Sequence, residues 1–145
     1  MPSRTARTLG TIVAIVGIVM IIAGGVTYYM VHNELKAANI TVADDAAFLA
    51  GDEVDGPFSA YAQAQIIDEH ALEATNGKTY AQLDRDDPLR QTAMSASFLR
   101  ASLFTSVVAF GVAAMAMVLG LMQVFIGWAL VSLSRREVAY ERAPA

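Results

Sequence analysis

At 145 residues, with 55% of them hydrophobic and a mean hydropathy of +0.44, the chain is too apolar for an ordinary soluble domain. Ten Lys and Arg against 14 Asp and Glu, a net charge of −4, leave no basic surface for a nucleic acid. The absence of cysteine removes disulfides, thiolate nucleophiles and thiolate metal sites.

Residues 1–8 are short and basic, with Arg4 and Arg7 and no acid. Leu9–Val31 follows, 23 residues without a charge. About 20 apolar residues suffice to cross roughly 30 Å of hydrocarbon, so residues 9–31 are predicted as a first transmembrane helix. A basic start before an apolar run also suits a secretory signal peptide. This run exceeds a typical signal h-region and no A-x-A site follows it, which predicts an uncleaved signal anchor.

The next stretch is polar and acidic. Residues 32–99 hold 12 acids and four bases (Lys36, Lys78, Arg85, Arg90), a net of −8. Asn39–Val42 is predicted as extended. Asp44 is placed to cap a short helix over 45–50, closed by Gly51 in the left-handed conformation. Pro57 suits the first position of a helix running to about Thr75 and stopped by Asn76-Gly77. Phe58, Tyr61, Ala62 and Ile66, with His70 at the edge, follow helical spacing and predict one apolar face. Thr79–Gln82 has the spacing of a capping box for one further turn.

Asp87 and Pro88 open the last helix, and nothing stops it before Ser134. Its 46 residues from Pro88 would measure roughly 70 Å, over twice the membrane's need. Residues 107–133 are predicted as the second transmembrane helix and 134–145 as a cytoplasmic tail. Residues 32–106 form an acidic extracytoplasmic segment that includes the upper part of that helix. Phe98, Leu99, Leu103 and Phe104 are the predicted wall for the Phe58–Ile66 face. The expected fold is an all-α membrane protein: two transmembrane helices in an antiparallel hairpin, a small extracytoplasmic helical cap, and the second helix extended above the bilayer.

Cations set the orientation. Arg4 and Arg7 precede the first span, and Arg135, Arg136 and Arg142 follow the second. By the positive-inside rule both termini are expected in the cytoplasm of a multi-pass plasma-membrane protein, with Tyr28, Tyr29 and Trp128 at the interfaces.

Small residues repeat in both spans. Gly10, Ala14, Gly17, Ile21, Gly24 and Tyr28 alternate steps of four and three; so do Ser102, Ser106, Ala109, Ala113, Ala116, Gly120, Gln123 and Gly127. Such stripes let helices approach closely where lipid removes the hydrophobic drive. They pair either with each other or with another subunit. Gln123 is the one strongly polar side chain deep in a span, expected to hydrogen-bond across helices. No ionisable residue accompanies it, which argues against a transport pathway.

Candidates for metal chemistry are few. Glu69, His70 and Glu73 share one edge of a predicted helix, and Asp52 and Asp55 sit in a turn that lacks the spacing of a calcium loop. All five are expected to be solvated, with no metal, cofactor or catalytic residue assigned. No Gly-rich phosphate loop or nucleophile elbow is present.

Several stretches carry a family resemblance: Thr41–Asp45, Asp55–Ala64, Glu69–Leu72, Gly77–Ala81 and Arg100–Val112. Across residues 8 to 130 the chain resembles short actinobacterial two-span membrane proteins, often named "aromatic ring-opening dioxygenase". The resemblance implies the two-span architecture and an actinobacterial source, and no established activity. Such dioxygenases use two His and a carboxylate on iron, whereas His32 and His70 here lie 38 positions apart. The expected function is a non-enzymatic structural or interaction protein that self-assembles in the lipid bilayer. The alternative is an accessory subunit docked on another membrane protein in a respiratory or envelope complex. A metal-dependent sensor or enzyme built on Glu69, His70, Glu73 and the Asp52–Asp55 turn is the third reading.

Overall fold

Three α-helices carry the chain in the computed structural model, which describes residues 2–141, with side chains over residues 4–135. α1 spans Pro2–Ala37, α2 Pro57–Ala74 and α3 Arg90–Glu141, with one 3-10 turn at Tyr80–Gln82. Among the described residues there is no strand, only an isolated antiparallel bridge between Thr41 and Glu53. The protein is all-helical. The side chains of Arg136 and Arg142, two of the cations after the second apolar run, lie outside the described residues.

α1 and α3 are each long and apolar enough to cross a membrane: Arg4–Ala37 and Arg90–Arg135 reach hydropathies of 2.6 and 2.2. Only 17% of either apolar window is buried, unlike the core helix of a soluble protein. α3 runs past Ser134 to Glu141, giving 52 residues and about 78 Å. Its start falls two residues after the expected Pro88: Asp87 Oδ1 accepts the Leu89 N–H at 2.9 Å in a turn, and helical geometry begins at Arg90.

The chain divides into two compact units, one of Met1–Thr27 with Val112–Ala145, the other of Tyr28–Gly111. The second has a side-chain core. Leu35, Val42, Val54, Ala60, Ala64, Leu103 and Phe110 are buried together, with Ile40, Ile67, Phe104 and Val107 packed around them. Phe110 is 1% exposed and meets Tyr28 edge-on at 4.7 Å.

Three local expectations are corrected here. The helix expected over 45–50 is absent; Asp44–Gly51 is a series of turns and bends. Leu49 and Gly51 both take left-handed φ, +56° and +79°, which a right-handed helix cannot pass through. Backbone bonds close the loop instead: Val42 N to Asp52 O at 2.9 Å, Gly51 N to Val42 O at 3.0 Å and Val54 N to Ile40 O at 2.8 Å. One turn of helix is poorly favoured on its own. The loop fully buries Val42 and Val54, each worth about 1.5–3 kcal/mol.

The apolar face of α2 also differs. Its buried residues are Ser59, Ala60, Ala62, Ala64 and Ile66, while Phe58 is 75% exposed and Tyr61 stays at the edge against Phe104. Small alanines permit close packing. Phe58 sits in the first turn, where side chains lean past the helix N-terminus. Ser59 caps that end, its Oγ accepting the N–H groups of Asp55 and Gly56 at 3.2 Å each. Thirdly, of the predicted wall on α3, Leu103 is buried and Phe104 partly so, whereas Phe98 and Leu99 face outward.

Candidate functional site

The small-residue stripes meet within the first unit. An ideal Cβ on Gly10 would stand 2.8 Å from Gly127 O, one on Gly17 2.5 Å from Gly120 O, and one on Gly24 2.7 Å from Ala113 O. All three distances are shorter than any side chain tolerates. As numbering rises on α1 it falls on α3, so the helices run in opposite directions with backbones in contact. Ala14 completes the approach at Gly127, and Ile21 packs over Gly120. By contrast Gly25 and Gly111 have nothing near the added atom. Ala109 and Ala116 are half-buried along α3, Ser106 likewise, and Ser102 is exposed.

Gln123 lies in this seam, its Cβ facing Gly17. Its Oε1 is buried without a hydrogen-bond partner among the described residues. A buried amide oxygen left unpaired is unfavourable, which makes Gln123 the seam's one chemically unsettled point.

In the second unit the expected polar candidates are separated. His70 Nε2 meets Asp45 Oδ2 at 2.6 Å. That hydrogen bond is the main cause holding the His70 pKa above its ordinary value; Glu73 and Glu69 add smaller attractions. The same bond lowers the Asp45 carboxyl below its usual range. Both side chains are about half exposed, so the pair is a solvated one. Asp52 and Asp55 serve through their backbones: Asp52 O accepts from Val42 N, and Asp55 O accepts from His32 Nδ1 at 2.7 Å. A carbonyl only accepts, so His32 carries its proton on Nδ1 there.

No group of three or more His, Asp or Glu side chains converges on a metal position among the described residues. The two histidines are engaged separately, His32 with the Asp55 carbonyl and His70 with the Asp45 carboxylate. Two polar contacts between distant segments escape sequence reasoning altogether. Asp45 partners His70 across 25 positions, and Arg100 pairs with Asp68 at 3.0 Å between α3 and α2. Neither pair follows a helical spacing. The chain matches no family model, no curated protein and no solved structure.

Proposed function

We propose that the chain is an integral plasma-membrane protein with both termini cytoplasmic and residues 32–106 extracytoplasmic. On this reading α1 and α3 form a transmembrane hairpin, and the acidic segment is a cap on it. The protein acts without enzymatic chemistry, as a structural or interaction protein that self-assembles. It then belongs beside the two-span actinobacterial proteins it resembles, and not among ring-opening dioxygenases.

The observation that carries the reading is the seam. Three backbone-to-backbone approaches between apolar helices, with no Asp, Glu, Lys, Arg or His in 9–31 or 107–133, suit a rigid scaffold and not a conduit. Because the stripes are occupied by each other, self-association falls to the exposed apolar faces, among them Phe125 and Trp128. Native mass spectrometry and cross-linking in mild detergent test this. A discrete oligomer is the expected result, and a monomer at all concentrations contradicts it. A stoichiometric foreign subunit co-purifying with a monomeric chain would favour the accessory-subunit reading instead.

A further inference from the structure

The surface around Tyr80 gathers charge of the unexpected sign. Tyr28–Gly111 contains 12 acids and only five cations, Lys36, Lys78, Arg85, Arg90 and Arg100. Three of those five collect at one ring. Lys78 and Arg100 line a pocket of about 270 Å³ with Thr79, Ser97 and Tyr80. The Arg90 guanidinium lies 4.2 Å from the Tyr80 ring centroid. Asp68 also lines the pocket and pairs with Arg100, compensating one charge. Lys78 makes no ion pair among the described residues, and Arg90 donates to the carbonyl of Leu83 and not to a carboxylate.

Tyr80 and Ser97 are shared with a second groove of about 410 Å³, whose other walls include Met94, Phe98, Ala101 and Thr105. This groove is almost wholly apolar, and Phe98 on it is 78% exposed. Its size lies in the usual range for small-ligand sites, roughly 300–1,000 Å³. Cations at one end and an uncovered apolar channel at the other are complementary to one kind of molecule. A free phosphate ion would leave Phe98 and Met94 bare, and a neutral lipid would leave Lys78 without a counter-charge.

We propose that the joined groove binds one anionic phospholipid. The phosphate sits against Lys78 and Arg100, with the Ser97 hydroxyl as a donor, and an acyl chain lies along Met94, Phe98, Ala101 and Thr105. Arg100 keeps donors free beyond those that Asp68 uses, because a guanidinium has five. The proposal rests on the membrane reading above, in which the groove stands just above the span that begins at residue 107, so the bound lipid is one drawn partly out of the outer leaflet.

The test uses the full chain in nanodiscs of phosphatidylcholine with a minority of phosphatidylglycerol, released into non-ionic detergent for native mass spectrometry. The wild type should keep one phosphatidylglycerol per chain, enriched over phosphatidylcholine. Lys78→Gln should lower that enrichment roughly fivefold, as expected for one juxtamembrane cation, and Lys78→Arg should restore it. Ala101→Trp, at an exposed position, should fill the groove and abolish retention with the helical circular dichroism and its melt unchanged. Equal retention of the two lipids, enrichment indifferent to both substitutions, displacement by oleate, or a second copy cross-linking through Phe98→Cys would each overturn the proposal. Carbonate extraction separates the two ideas. A chain released by carbonate would overturn the membrane reading and this proposal together; a carbonate-resistant chain without lipid preference overturns this proposal alone.

Discussion

The two units of the molecule are stabilised by opposite means. In Met1–Thr27 with Val112–Ala145 the helices approach backbone to backbone at Gly10, Gly17 and Gly24, and the side chains of Leu130, Gln123 and Met117 close over those glycines. In Tyr28–Gly111 the contact is made by side chains, with Phe110, Val42 and Val54 buried and ion pairs on the surface. The difference follows from the surroundings each unit suits. On the proposed membrane reading residues 32–106 lie in water, which rewards burial of apolar groups such as Val42 and Val54, while Phe110 and Tyr28 fall within the spans. Lipid gives no such reward, and close approach of small residues, gaining dispersion contacts, does the holding.

Substitutions can break this contrast. The largest effect is expected at Phe110→Ala, which removes a ring 1% exposed and its edge-on contact with Tyr28. A loss of about 3–5 kcal/mol, read from denaturation in detergent, is expected for such a cavity. Gly17→Val should follow, at about 1–3 kcal/mol or more, because its Cβ would meet Gly120 O at 2.5 Å. Gly25→Ala is the control on the same helix, with open space at the added atom, and it should be neutral or slightly stabilising. Equal effects at Gly17 and Gly25 would remove the backbone seam from the account.

Smaller effects sharpen the picture. Gln123→Leu deletes an amide whose buried oxygen makes no bond among the described residues, so the melting temperature should hold or rise slightly. A clear loss would mean that Gln123 bonds elsewhere, to another subunit. The smallest effect is at His70. Its folded pKa is raised above 6.5, so its contribution is complete below the ordinary value and fades as pH rises through the raised one. Asp45 is lowered below 3.8, so its contribution is present above that value and fades as pH falls through the lowered one. The pair therefore acts between the ordinary carboxylate and imidazole values, weakly, since both groups are solvated. NMR titration should place His70 above 6.5, and Asp45→Asn should bring it down toward that value.

Much of this is legible in the chain because the rules involved are local. Pro57 and Asp87 mark helix starts, Asn76-Gly77 marks a stop, and Gly10, Gly17 and Gly24 mark one face by spacing alone. What spacing does not reveal is register, that Gly10 faces Gly127 and Gly17 faces Gly120. The loop from Asn39 to Gly56 is also hidden, since its form depends on burying Val42 and Val54 together, 12 positions apart. The outward turn of Phe58 and Phe98 shows the same limit: helical periodicity identifies an apolar stripe without saying whether anything covers it. The polar pairs His70–Asp45 and Arg100–Asp68 join distant segments and leave no periodic trace.

The central claim is that α1 and α3 span the membrane with the acidic segment outside. Because the chain has no cysteine, single substitutions report position cleanly. Labelling of Glu69→Cys and Arg135→Cys with a membrane-impermeant maleimide, before and after permeabilising cells, is the most direct measurement. Glu69→Cys should label in intact cells and Arg135→Cys only after permeabilisation. Labelling of both in the same compartment, or in the reverse order, would contradict the claim.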